Sequence, residues 1–456
     1  MESSDNIRAD DVGLVANLAG PVSSNPTSSV SGDASNSRQP WLLYTSKQRW
    51  LFLAILFWIT TSSYFDYYIL SVVLDPIKAE FRVSDTMLGL LSGFTFAILY
   101  AIAALPISRW SDYGNRRTVL TLALAGWSVL TAVCGFAQSF LQLAAARFGL
   151  GLVEAGAVPP AQSLIADYFP PERRATASAV LTAGSAAGYL IGVSLGGYVA
   201  ATAGWRAAFL VVGTPGIILA VAVRLILPEP REQLGFPAVG AEAESIRQAI
   251  LRLRKRSFFW ALTAISVYTI FSFGINIFLP SYMIRTLHAS LAVVSVTWGL
   301  AISVANLIGA LVGGWLGDVL SRRDIRWYAW LPALTCALAA PLYWFALAAG
   351  RLWSFIVLDF FAELVVGLGI SICFATIHAV CGGRRRTMAI ALVQLSFMVI
   401  GCGLGPLIAG MLSDGLRGQY GDDSLRYSLV VLVAFLLPAA AAFYFSARTI
   451  PIDLEE

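Results

Sequence analysis

Apolar runs of about twenty residues recur along this chain, separated by short polar breaks. A helix rises about 1.5 Å per residue, so runs of that length cross roughly 30 Å of hydrocarbon. They start near Trp50, Thr86, Thr118, Leu141, Ala175 and Trp205 and, after a longer polar stretch, near Phe258, Leu291, Trp327, Leu352, Thr387 and Leu425. The pattern predicts an all-α membrane protein of twelve transmembrane helices in two six-helix halves, residues 46–227 and 257–448.

The intervening polar segments have distinct characters. Residues 1–45 are rich in Ser, Asn, Asp and Gly and lack the apolar core of a signal peptide, which predicts a disordered N-terminal tail. The run near Trp50 then serves as both targeting signal and first span. Residues 228–256 form the linker between the halves. After Pro228, Pro230 and Pro237, the residues Ile246, Ala249, Ile250 and Leu253 share one helical face among Arg247, Arg252, Arg254 and Lys255. That is the pattern of a basic amphipathic helix on a membrane surface, or of a solvated linker helix. Residues 449–456 form a short C-terminal tail.

Composition agrees with a membrane protein: 57% of residues are hydrophobic, 13% are charged, and the mean hydropathy is +0.72. Soluble domains carry about 25% charged residues. The net charge of +4 is scattered between the apolar runs, which argues against a nucleic-acid partner. Its distribution instead sets topology. Twenty loop Lys and Arg residues fall on one side, including Arg173, Arg174, Arg322 and Arg323, against seven on the other, such as Lys78, Arg206 and Arg285. By the positive-inside rule both termini are cytoplasmic, as for a protein of the cell's inner membrane. Cys134, Cys336, Cys373, Cys381 and Cys402 show no C-x-x-C pairing and read as packing residues. His288 and His378 are the only histidines, they are far apart in the sequence, and no H-E-x-x-H motif is present, so enzyme chemistry is not expected. No metal or organic cofactor is expected either.

An internal repeat marks the two halves. Asp112 is followed by Arg116 and Arg117 after span 2, and Asp318 by Arg322 and Arg323, at the same spacing, after span 8. Arg173-Arg174 before span 5 is likewise matched by Arg384-Arg385-Arg386 before span 11. These features resemble the major facilitator superfamily, whose loop after span 2 typically reads G-x-x-x-D-R-x-G-R-R. The second copy fits this better than the first, where Ser108, Tyr113 and Asn115 replace Gly, Arg and Gly. Such a loop suits a latch: an acid at a helix end faces basic residues and a neighbouring helix terminus, and the contact breaks as the halves rock. Asp112, Arg116, Arg117, Asp318, Arg322 and Arg323 are therefore candidate gating residues.

Within that superfamily the chain is most similar to the spinster-like branch, over nearly all of its length after residue 45. The resemblance is carried by Arg147-Phe-Gly-Leu-Gly151-Leu-Val-Glu154-Ala155-Gly156, Ala166-Asp167-Tyr168-Phe169-Pro170, Gly204-Trp205-Arg206-Ala-Ala-Phe209 and Pro228-Glu229-Pro230-Arg231. It implies the major facilitator fold and an alternating-access carrier of lysophospholipids or sphingosine-1-phosphate-like lipids. The branch's acid-arginine pair in span 1 is altered, since Tyr67 follows Asp66.

Ionisable side chains within spans cost about 3 kcal/mol each, so each calls for a partner or a role. Asp66 lies in span 1, Arg147 and Glu154 in span 4, and Asp359 and Glu363 in span 10. Arg147 and Glu154 are two turns apart on one face, about 10 Å along the axis. Arg147 can pair with Asp66 or Glu154 in turn, which would couple protonation to conformation. The resemblance implies the same proton-coupling role for Asp66, Arg147 and Glu154; a static ion pair is the structural alternative. Candidate substrate contacts are Arg147, Asp359, Glu363, Asn276 and Tyr268, with Asn306 and Gln394 as further polar span residues. Phe271, Phe273 and Phe278 suit either an acyl tail or lipid. Gly184, Gly188, Gly192 and Gly196 give span 5 a smooth face for a neighbouring helix. The expectation is a monomeric, proton-coupled transporter in the lipid bilayer. Its substrate is an amphiphile or, alternatively, a small organic anion or an exported drug or metabolite.

Overall fold

The computed structural model describes residues 39–234, 255–373 and 386–454. The amphipathic linker helix expected beyond residue 240, together with His378, Cys381, Arg384 and Arg385, falls outside them. Among the described residues twelve helical rods form two sets of six. They are α1 (Ser46–Phe81), α2 (85–113), α3 (Arg116–Gly135), α4 (Phe140–Tyr168), α5 (Pro171–Ala203) and α6 (Trp205–Ile226). The second set is α7 (Arg256–Arg285), α8 (Leu291–Ser321), α9 (Trp327–Ala348), α10 (Leu352–Ile370), α11 (386–420) and α12 (424–454).

Among the described residues ten stretches are long and apolar enough to cross a bilayer, the last of which, Leu392–Asp453, takes in both α11 and α12. The first rod, α1, is absent from that set because Thr60-Thr61-Ser62-Ser63-Tyr64 and Asp66-Tyr67-Tyr68 dilute its apolar run. Its polar middle faces protein, with Thr61, Ser62 and Asp66 buried, so α1 is an inner helix. Residues such as Leu141 and Leu225, 77% and 78% exposed, instead turn apolar surface outward, as lipid requires.

Part of the tail expected over 1–45 is built into the fold. Pro40–Leu43 form a short helical turn, and Tyr44 is buried against Phe52 and Tyr168. At the other end α12 runs on to Leu454, where Asp453 accepts hydrogen bonds from the Ser257 amide at 2.7 Å and from the Ser257 hydroxyl. That carboxylate satisfies a free amide at the start of α7, so the expected C-terminal tail is held as helix as far as Leu454.

Close helix approach follows the glycine stripe. A Cβ at Gly184 or Gly188 would meet the Phe57 or Thr61 carbonyl at 2.7 or 2.4 Å, so α5 lies directly on α1. The second half repeats this with α11 on α7, where a Cβ at Gly405 would reach the Ile270 carbonyl at 2.6 Å. Four rods also contain a π-helical segment: Leu90–Phe94 in α2, Gly192–Gly196 in α5, Val294–Trp298 in α8 and Phe397–Leu404 in α11. These are the segments at which the halves cross, Gly93 against Cys402 and Gly299 against Val193. A π turn widens the helix locally and lets backbones approach there.

Candidate functional site

Because the rods alternate in direction, the bundle has a terminal face, carrying both chain termini and the linker, and a distal face. The charges of the N-terminal half lie between them. Asp66 of α1 accepts from Arg147 Nη1 at 3.2 Å and from Thr131 Oγ1 of α3 at 2.8 Å, while Arg147 Nη2 donates to the Asp66 carbonyl at 3.2 Å. The guanidinium lies 5.3 Å from the centre of the Phe209 ring of α6. Both partners are buried, so this pair is screened little by solvent.

Glu154 makes no ion pair with Arg147 here; it accepts from Ser63 of α1, and Tyr64 and Tyr100 face it. Its position follows from a break in α4. Pro159 and Pro160 lack the amide hydrogens that would continue the ladder, and the chain turns at Ala155–Ala157. Glu154 therefore closes the first segment of the helix and points at α1. Arg147 is thus placed with Asp66 of the two partners expected for it.

Asp359 and Glu363 share one face of α10, as their spacing predicts, but that face is turned into the C-terminal half. Asp359 is 0% exposed and Glu363 4%. Trp298 Nε1 of α8 donates to Asp359 Oδ2 at 2.7 Å, and the Asn306 amide reaches Glu363 at 3.4 Å. Tyr268 and Arg147 are buried too, so four of the five expected substrate contacts present almost no surface in this conformation. Packing behind neighbouring helices removes them from direct contact. Asn276 is the exception: it is part-buried and accepts from the Tyr189 hydroxyl of α5 at 3.4 Å.

What meets between the halves at mid-depth is aromatic. Tyr67, next to Asp66, packs edge-on against Phe273 at 5.6 Å, Phe273 against Phe397 at 4.9 Å, and Tyr68 against Tyr189 at 4.5 Å. Phe271 and Phe278 are buried within the C-terminal half and face neither lipid nor this zone.

The loop arginines of the two repeats differ in their surroundings. Arg116 is 1% exposed and pairs within its own half with Glu229 at 2.5 Å and Asp167 at 2.6 Å, and its backbone amide donates to Glu229 at 2.9 Å. Arg117 only approaches Glu232, at 3.5 Å near the surface. Asp318, Arg322 and Arg323 are exposed and form no ion pair among the described residues. The side chain of Asp112 lies outside the described set. Glu229 and Asp167 stand in the sequence beside recognisable motif residues, yet only the fold brings them to Arg116.

A charged cluster at the distal face also escaped the sequence reading. Arg285, from the C-terminal half, reaches Asp75 at 2.6 Å and Asp85 at 2.9 Å, both in the N-terminal half. Lys78 and Ser413 complete the shell around Asp85 at 2.6 and 2.8 Å. Asp414 of α11 accepts from the Asp85 and Thr86 amides at 3.0 and 2.7 Å, capping the start of α2 from across the interface. Among the described residues, the contacts joining the halves given above lie at mid-depth and at the distal end.

Comparison with known proteins agrees with this architecture. A family model described as Major Facilitator Superfamily matches residues 56–350. An MFS-type efflux pump of Mycolicibacterium smegmatis is 30% identical over 409 residues, covering 88% of this chain and 93% of that relative. A probable L-galactonate transporter of Escherichia coli is 25% identical over 417 residues, 87% and 88% of the two chains. The solved structure of a bacterial homolog of the human lysosomal transporter Spinster, inward-facing and unoccupied, superimposes with a TM-score of 0.81 at 26% identity, covering 90% of this chain and 99% of that one. Its occupied, inward-facing form gives 0.78. By fold and by sequence this chain, an integral multi-pass membrane transporter and not an enzyme, belongs to the Major Facilitator Superfamily.

Proposed function

We propose that the chain moves an amphiphilic, lysophospholipid- or sphingolipid-like substrate by proton-coupled alternating access, and that the present conformation is closed at its distal, extracytoplasmic face. The observation carrying this reading is the mid-depth zone between the halves, which Tyr67, Tyr68, Tyr189, Phe273 and Phe397 line with rings. Rings accommodate an acyl chain, and their hydroxyls offer a head group hydrogen bonds. A small carboxylate needs a free cation at the same depth, whereas Arg147 is already paired with Asp66. The likeness to the bacterial Spinster homolog adds support. Asp66, Arg147 and Glu154 are the proton-coupling groups in this reading: release of Arg147 from Asp66 toward Glu154 would exchange which carboxylate carries the proton.

A second reading, transport of a small organic anion, is favoured by relatives named as carriers of cis,cis-muconate and L-galactonate. Purified protein in proteoliposomes under an imposed pH gradient distinguishes the two. Gradient-dependent movement of a fluorescent lysophospholipid is expected; movement of labelled muconate or galactonate with none of lysolipid would overturn the amphiphile reading.

A further inference from the structure

Asp359 and Glu363 have no place in the Asp66, Arg147 and Glu154 group or in the contacts between the halves. Two ionised carboxylates one turn apart, where water cannot solvate them, repel each other and need a cation. Among the described residues no ion pair reaches either acid; the groups that do are neutral. Trp298 and Asn306 donate from α8, the phenol of Tyr343 from α9 lies beside the pair, and those of Tyr268 and Tyr282 from α7, Tyr189 from α5 and Tyr68 from α1 are within its electrostatic reach.

Two atoms stand out in this shell. Asp359 Oδ1 is buried with no hydrogen-bond partner, and the Tyr343 hydroxyl, on a residue only 1% exposed, lies beside Glu363. Buried polar atoms are rarely left unpaired, and the Asp359 deficit is met if one carboxyl carries a proton. Its hydroxyl then donates to the other acid or to the Tyr343 oxygen.

We infer that Asp359 and Glu363 share a proton and form a second proton-binding site, in the C-terminal half, separate from Asp66, Arg147 and Glu154. A substrate ammonium would have to pass Trp298 and Tyr343, both essentially without exposed surface, whereas a proton needs only a hydrogen-bonded path. The site also has a mechanical connection. Trp298 closes the π segment of α8, and the next residue, Gly299, packs on Val193 in the π segment of α5 in the other half. Loss of the proton would set two negative charges behind Trp298 at the point where the halves cross. The proton site itself does not depend on the proposed substrate; only its consequence for transport rests on that reading.

Infrared spectroscopy of the full chain in proteoliposomes tests this without any substrate. At neutral pH the wild type should show a protonated-carboxyl C=O component that is lost in Asp359→Asn/Glu363→Gln and is distinct from any component removed by Glu154→Gln. Glu363→Gln alone, checked for monodispersity, serves if the double variant misfolds, and should change the same band. A band unaffected by these α10 substitutions, or a wild-type band bleached by sodium but not by choline, would overturn the inference, the latter by making the pair a metal-cation site. Absence of lysolipid transport with the band intact would count against the proposed substrate alone.

Discussion

In the N-terminal half a buried carboxylate, Asp66, is held by Arg147 and Thr131; in the C-terminal half its counterpart in burial, Asp359, has Trp298 and, among the described residues, no cation. The backbone packing of the two halves is nevertheless matched, with the α5 glycine stripe on α1 and the α11 glycines on α7. Repetition therefore governs how the helices approach, while each half compensates its charge in its own way. One half uses an ion pair that can be broken and remade, the other neutral donors that suit a protonated acid.

The largest expected effect comes from breaking the ion pair. Arg147→Ala leaves Asp66 buried opposite neutral groups, at a cost of about 3–5 kcal/mol. A strongly lowered melting temperature in detergent and loss of lysolipid movement are expected. Adding Asp66→Asn should restore most of the thermal stability without restoring transport. If the double variant melted as low as the single, the pair would matter through packing on Phe209 and not through charge.

Next is the distal cluster, where α1 and α2 are tied to α7 and α11. Charge-assisted hydrogen bonds contribute about 1.5–3 kcal/mol each, although Lys78 remains to hold Asp85. Arg285→Ala should therefore weaken distal closure by about 2 kcal/mol, roughly a thirtyfold population shift. Spin labels on Gln138 and Asp422, exposed on opposite halves of this face, should report a longer distance component. An unchanged distance distribution would mean that the Asp414 cap on α2 holds the face closed by itself.

A smaller change is expected at Glu154, whose partner Ser63 can also donate to an amide oxygen, so Glu154→Gln should leave the fold intact. Transport driven by a pH gradient should fall about tenfold, equivalent to roughly 1.4 kcal/mol, and its pH dependence should flatten. Unaltered pH dependence would remove Glu154 from the coupling role and leave it to Asp66 or the α10 pair.

The twelve runs, the halves and the charges within the spans were legible in the sequence because each is a local pattern: length, apolarity, or an ionisable residue where none is tolerated. The pairings were not. Arg285 meets Asp75 across 210 positions, and Arg285 looked like a loop charge that sets topology. A recoverable hint was that Asp75 precedes Pro76 within a helix that continues to Phe81, so its charge lies inside a rod and calls for a partner. For Arg116 the hint was weaker, since Glu229 sits in the Pro-rich linker, where an acid is ordinarily solvated.

Adjacent arginines in the first repeat sharpen this distinction between charge on show and charge in use. Arg116 and Arg117 look alike in sequence, yet Arg116 is enclosed by Glu229, Asp167 and Ser163, while Arg117 only approaches Glu232, itself 57% exposed in its side chain. Exposed pairs contribute about 0–1 kcal/mol and are screened by salt, so Arg117→Ala should change the melting temperature very little, and less still at high ionic strength. Arg116→Ala should lower it clearly at any salt concentration, because Glu229 and the start of the linker lose the group that holds them to α3 and α4. Equal, salt-sensitive losses in both variants would mean that the paired arginines act through the charge of the loop, as the repeat alone suggests, and not through the buried contact that Arg116 makes in its own half.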